Sequence, residues 1–154
     1  MTSQSLPSFQ LQDDQGQTVT DKSLQGRWTV IYAYPKDNTP GCTQEACDFR
    51  DSWSRVEALG AQVYGISKDT VKSHQGFIAK QNLPFRLLSD PELVLLKALG
   101  AYGRKVMYGK EMEGIIRSTF LVDPKGVIRK AWPKVSVKGH VQQVLETLAS
   151  LRGS

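Results

Sequence analysis

Two cysteines, Cys42 and Cys47, stand five residues apart in a chain of 154 residues that has no others. The residues in front of the first suit it for thiolate chemistry. Thr39 is a helix N-capping type, Pro40 fits a first helical position, and Cys42 then falls in the first turn. Backbone N–H groups lack intrahelical partners there, and the macrodipole favours an anion. A thiol so placed ionises more readily than a free one. Lowering a thiol pKa from about 8.5 to about 6 raises the thiolate fraction near neutrality roughly thirtyfold, equivalent to about 2 kcal/mol. One cysteine then attacks and the other resolves. The competing reading makes both small apolar residues of a buried helix face, since free cysteine is among the most buried residue types. Spacing and capping alone leave both readings open.

The elements that must position these thiols are legible around them. Residues 28–34 form a continuous β-branched and aromatic run, the pattern of a strand covered on both faces, and are expected at the centre of a sheet. Residues 40–59 place Phe49, Trp53, Val56 and Leu59 at helical intervals before Gly60, so one long helix is expected to carry both cysteines. Residues 61–67 read as a strand and 70–81 as a helix capped by Asp69, with Pro84 breaking the pattern. A short strand at 86–89 and a helix at 91–99 follow. Next come a hairpin joining 115–122 to 127–132 across Asp123-Pro124-Lys125-Gly126 and a closing helix at 139–151. Residues 9–11 and 18–20 form an N-terminal hairpin expected at an edge, and 102–114 are expected to form the most mobile loop. Strands alternating with helices imply a three-layer α/β architecture with a mixed sheet, as a single domain over residues 1–154.

Composition narrows the function. Hydrophobic residues at 40% and charged residues at 23% are ordinary for a soluble globular protein. No apolar run reaches the 18 or so residues of a spanning helix, and the start lacks the basic and apolar regions of a signal peptide. The expected location is the cytoplasm, with no membrane contact. Twenty Lys and Arg against fifteen Asp and Glu raise nucleic acid as a partner. The basic residues are scattered singly or in pairs, which reads as a solvated surface instead. His74 and His140 fall in separate helices, without zinc-ligand spacing to the cysteines, so no metal is expected.

The segment Pro35-x-x-x-Thr39-Pro40-Gly41-Cys42-Thr43-Gln44-Glu45-Ala46-Cys47 resembles the active-site signature of peroxiredoxins, in particular the bacterioferritin comigratory protein (peroxiredoxin Q) group. The likeness continues through residues 6–11, 28–35, 62–67, 85–90 and 117–126. It implies a thioredoxin-like fold, with a central mixed sheet flanked by helices. It also implies a thiol peroxidase acting on hydrogen peroxide and organic hydroperoxides in antioxidant defence. Cys42 would be the attacking thiolate and Cys47 the resolving thiol. Arg117 matches the position of the family's active-site arginine, although on its own segment it reads as a strand-edge arginine in a surface ion pair. Pro35 would shield Cys42 from water, and Glu45 would orient the arginine, its plainer role being an acid that favours the first turns of a helix. Thr39 can supply a hydroxyl and the backbone around Gly41 and Cys42 N–H donors, while Gly41 eases local unwinding. The resemblance further implies no bound cofactor, a thioredoxin-like dithiol reductant and a monomer.

Three other classes stand beside this one. A thioredoxin-type disulfide oxidoreductase would use the same helix-start thiol, but its Cys-x-x-Cys is missing. It would reduce protein disulfides without consuming peroxide. A redox-sensing or chaperone-like protein would toggle once instead of turning over. A basic nucleic-acid-binding module would show salt-sensitive retardation of nucleic acid.

Overall fold

The computed structural model describes residues 4–153, apart from the side chain of Met107. Three short strands, β1 (Gln4–Ser5), β2 (Gln10–Asp13) and β3 (Thr18–Thr20), precede β4 (Trp28–Ala33). Two helices follow, α1 (Pro40–Asp51) and α2 (Trp53–Ala58), and then β5 (Ala61–Ser67), α3 (Val71–Gln81), β6 (Arg86–Ser89) and α4 (Val94–Ala98). The chain continues through β7 (Tyr102–Met107), β8 (Lys110–Ile115), β9 (Ser118–Val122) and β10 (Val127–Trp132) to α5 (His140–Arg152).

Eight strands form one mixed sheet in the order β1-β10-β9-β4-β5-β6-β2-β3. β4 pairs in parallel with β5 and antiparallel with β9, which places it centrally as its apolar run predicts. Alternation along β4 sends side chains to opposite faces. Val30, Tyr32 and Tyr34 join Phe49, Val56, Phe77 and Leu145 on one side. Ile31 and Ala33 join Leu95, Leu96 and Val122 on the other. Both sides of the sheet are therefore covered, and β4 leads through the connection 34–39 into the cysteine-bearing helix. The N-terminal hairpin lies at the β3 edge, and the β9–β10 hairpin turns where expected.

Five local expectations need correction. The single helix over 40–59 breaks at Ser52, which leaves helical geometry at φ −103°, ψ 14°. Thr70, not Asp69, caps α3, its hydroxyl accepting from the Ser73 N–H at 3.1 Å. Asp69 instead accepts from the Asp37 N–H and the Ser67 hydroxyl. The helix over 91–99 shrinks to α4, because Leu93 is left-handed at φ 61° and the Asp90 carboxylate takes the N–H groups of Val94 and Leu96. The strand over 115–122 is two strands, β8 and β9, parted at Ile116-Arg117.

The largest departure is at residues 102–114, expected as a loop. They form a two-stranded antiparallel hairpin, β7–β8, separate from the main sheet. Met107 pairs with Lys110 across Tyr108-Gly109, both with positive φ (54° and 76°), the geometry of a tight two-residue hairpin turn. Lys110–Glu113 are exposed, so the segment lacks the in–out apolar alternation that marks a half-buried strand.

Candidate active site

The site is assembled from the start of α1, the break between β8 and β9, and the base of the β7–β8 hairpin. Cys42, in the first turn of α1, is 1% exposed. Its Sγ accepts a hydrogen bond from Arg117 Nη2 at 3.3 Å, while Arg117 Nη1 donates to Glu45 Oε1 at 2.7 Å. The fold thus brings the distant Arg117 to two residues one turn apart on α1, with one guanidinium bridging a thiol and a carboxylate. Arg117 is where two strands part, and its backbone is fixed there. Its carbonyl accepts from the Val135 N–H at 2.9 Å, and the Ile116 N–H donates to the Ala101 carbonyl at 2.7 Å.

Gly41 has a steric reason to lack a side chain. A Cβ on it would lie 3.2 Å from Arg117 Nη2. Gly41→Ala is expected to push the guanidinium off Cys42 and reduce kcat/KM for peroxide by about tenfold, while leaving thermal stability nearly unchanged. Steady-state kinetics beside a melting curve checks this, and wild-type kinetics in the variant would remove the steric role.

Thr39 stands at the N-cap position, but its side chain makes no capping bond. Its hydroxyl donates to the Lys36 carbonyl at 2.7 Å, so the first-turn N–H groups are not consumed by an N-cap side chain. Pro35 and Arg117 line a cavity of about 540 Å³ with Lys105, Val106, Ile116 and Val135 among their neighbours. Cys42, Thr39 and Glu45 are not on its wall, so Arg117 connects the cavity to the thiol. Cys47 lies further along the unbroken α1, and both thiols are free. Its Sγ approaches Gln81 Oε1 at 3.5 Å.

Burial dominates the electrostatics. Glu45 is completely buried and its carboxyl is pushed up to about 7, against the opposing pull of Arg117. Burial opposes the charge of Arg117, but Glu45 and Cys42 raise its pKa. Tyr32, also buried, is driven well above the ordinary phenol range by burial, then by Glu45 and Cys42, and stays a neutral phenol. Among the described residues Tyr32 Oη and Glu45 Oε2 have no hydrogen-bond partner, which leaves two buried polar atoms beside the thiol region.

Sequence reasoning missed Lys105. Its ammonium donates to the Ile115 carbonyl at 2.8 Å, two residues before Arg117, and lines the same cavity. Burial and the Arg117 charge lower its pKa. Gly114 makes room for it, since a Cβ there would lie 2.8 Å from Lys105 Cε. The one available signal was Tyr108-Gly109 flanked by two six-residue segments, a turn dipeptide without the usual Asn or Asp.

Sheet order, the helix-start thiol and its arginine define the class as a thioredoxin-fold peroxiredoxin, and comparison with known proteins agrees. The AhpC/TSA family model matches residues 2–131. A putative peroxiredoxin bcp of Coxiella burnetii is 49% identical over 145 residues, covering 94% of this chain and 96% of that protein. Peroxiredoxin Bcp of Bacillus subtilis is 47% identical over 148 residues, covering 96% and 94%. The solved structure of Xanthomonas campestris peroxiredoxin Q superposes with a TM-score of 0.89 at 44% identity, covering 94% of this chain and 91% of that one. The chain belongs to the AhpC/TSA family and, within it, to the bacterioferritin comigratory protein (peroxiredoxin Q) group of peroxiredoxins. Among the described residues no helix is long and apolar enough to cross a membrane.

Proposed function

We propose that this peroxiredoxin reduces hydrogen peroxide and organic hydroperoxides through Cys42, with Cys47 as the resolving thiol. The observation that carries this reading is the Arg117 guanidinium, which joins Cys42 Sγ to Glu45 and lines the neighbouring cavity. The Cys42 thiolate attacks one peroxide oxygen, the O–O bond breaks, and the departing oxygen leaves as hydroxide or alkoxide and takes up a proton. Arg117 and the first-turn N–H groups oppose the charge that develops, a form of preorganised stabilisation contributing about 10²-fold or more per donor. Pro35 restricts water on the cavity side, and Thr39 braces the loop through its bond to the Lys36 carbonyl. Glu45 orients the guanidinium.

Cys42 is left as a sulfenic acid, with which the Cys47 thiol condenses, forming a disulfide and releasing water before further oxidation becomes irreversible. In an intact helix their Cα atoms stand about 8–9 Å apart, whereas a disulfide requires about 4.4–6.8 Å. The start of α1 must therefore unwind for the bond to form and rewind on reduction. A thioredoxin-like dithiol then reduces the disulfide by exchange. Val106, Ile115, Ile116 and Val135 give the cavity an apolar side suited to the organic part of a hydroperoxide. A solved Xanthomonas campestris bacterioferritin comigratory protein is described by its alkyl peroxide reduction activity, which supports that substrate class here. The protein acts as a monomer, in one domain, in the cytoplasm, where reducing partners keep both thiols available.

Mass mapping after one equivalent of hydrogen peroxide tests the assignment. The wild type is expected to give the 42–47 disulfide, and Cys47→Ser to stop at a trappable sulfenic acid on Cys42. An unmodified Cys42 in both proteins overturns the reading.

A further inference from the structure

Behind the start of α1 lies a buried polar cluster that the chemistry above does not use. His74, on α3, is fully buried, with Nε2 2.9 Å from the Leu88 carbonyl oxygen and Nδ1 2.7 Å from Asp37 Oδ2. Both ring nitrogens are engaged, so the ring is held at each end. Asp37 is equally engaged. Its Oδ1 accepts from the Tyr34 hydroxyl at 2.6 Å, its Oδ2 also accepts from the Ser73 hydroxyl at 2.8 Å, and its N–H donates to Asp69 Oδ2 at 2.9 Å. Asp69 Oδ2 takes the Ser67 hydroxyl as well, at 2.6 Å. Asp37, Asp69 and His74 offer ligand atoms within 4.8 Å of one another, but these hydrogen bonds already occupy them.

The cluster ends abruptly. Asn38, the next residue, is exposed and left-handed at φ 63°, Pro40 has no N–H, and Gly41 has no side chain. At the far end Ala46 and Phe49 are fully buried. Between Asp37 and Ala46 the chain is anchored by the buried Cys42 and Glu45, both held through the Arg117 guanidinium, so the stretch that must move lies between two fixed ends and carries Cys42 itself.

We propose that Asp37 and His74 are positioning residues for Cys42. Their pair fixes the N-terminal limit of the unwinding that lets Cys42 reach Cys47, so the motion begins at Asn38 and the helix re-forms in one place after reduction. The inference rests on the resolving role given to Cys47. Losing the pair loosens the attack geometry and eases unwinding, so the two half-reactions respond in opposite senses. A residue that only maintains the fold would depress both.

Stopped-flow measurement of both half-reactions tests this in wild type, Asp37→Asn and His74→Gln, with Ser73→Ala as a milder variant that removes one donor to Asp37. Attack on hydrogen peroxide is expected to slow by about tenfold in the first two variants and by less in Ser73→Ala. Disulfide formation is expected to stay as fast or become faster, and overoxidation at a given peroxide dose to fall. Hydrogen exchange on the oxidised proteins reads the boundary directly. The Asp37 amide should remain protected in wild type while the amides of residues 41–47 exchange, and should join them in the variants. Failure of wild type to form the 42–47 disulfide would sink the resolving role itself. A wild-type disulfide accompanied by equal slowing of both steps, or by an Asp37 amide as fast as those of 41–47, would overturn the positioning role alone. Should the buried variants fail to fold, Ser73→Ala and the wild-type exchange pattern still decide it.

Discussion

Arg117→Met is expected to lower kcat/KM for hydrogen peroxide by about two to three orders of magnitude, with α1 intact by circular dichroism. The guanidinium holds two partners at once, Cys42 Sγ at 3.3 Å and Glu45 Oε1 at 2.7 Å. Methionine keeps much of the length and packing but supplies no donor. The thiolate loses its counter-charge, the departing oxygen loses a preorganised donor, and Glu45 is left without its cation in a site from which water is excluded. Arg117→Lys should recover only part of the loss, because a single ammonium does not reproduce the fork that reaches sulfur and carboxylate in fixed geometry. Glu45→Gln should cost far less than either, since an amide carbonyl still accepts from Nη1. That order, methionine worst, lysine intermediate and glutamine at position 45 mildest, separates a catalytic guanidinium from a structural ion pair. A structural pair would make the Arg117 and Glu45 variants equivalent. Retention of activity by Arg117→Met within about threefold of wild type would remove the arginine from the mechanism.

What was legible in the sequence follows from what local pattern encodes. β4 could be read because burial on both faces forces a continuous apolar run, which few other elements show. The Thr39-Pro40-Gly41-Cys42 entry to α1 could be read because helix starts have residue-specific geometry. The partner of Cys42 could not, since Arg117 is 75 residues away and no local spacing encodes a contact made by packing a strand end against a helix start. Resemblance to the peroxiredoxins pointed to Arg117 and the fold brought it to the thiol, whereas Lys105 emerged only from the structure. Thr39 shows a finer failure. Its type and backbone are those of a cap, yet its hydroxyl turns back to Lys36, a choice made by the preceding loop. The Asp37–His74 pair was invisible because it joins the β4–α1 connection to α3, 37 residues on, with two helices and a strand between. Local pattern reads Glu45 only as a first-turn acid, its role toward the arginine coming from the resemblance, and nothing in Thr43-Gln44-Glu45 announces complete burial.

That burial shapes the response of stability to pH. Between its ordinary 4.5 and about 7, folded Glu45 keeps a proton that the unfolded chain has released. The folded state binds more protons over this window, so Glu45 makes stability fall as pH rises, by about 3 kcal/mol across the whole range. His140 acts in the opposite direction. It sits 2.8 Å from Thr119 Oγ1 and edge-on to Trp132, and burial, then Arg117, push its pKa down to about 4. Between about 4 and its ordinary 6.5 the unfolded chain carries a proton that the folded chain lacks, so His140 makes stability rise with pH. The windows overlap and the slopes oppose, so wild type is expected to show a nearly flat profile from these two groups between pH 4.5 and 6.5. Each single substitution should uncover the other slope. Glu45→Gln leaves His140 acting alone, and the melting temperature should climb with pH through this interval. His140→Asn leaves Glu45 alone, and the melting temperature should fall from pH 4.5 to above 7 by roughly 6–12 °C. Melting curves at four pH values in the three proteins check this. Parallel curves would mean that Glu45 stays ionised throughout, its charge held by Arg117 more strongly than burial opposes it, and that His140 finds its charge tolerated beside Thr119.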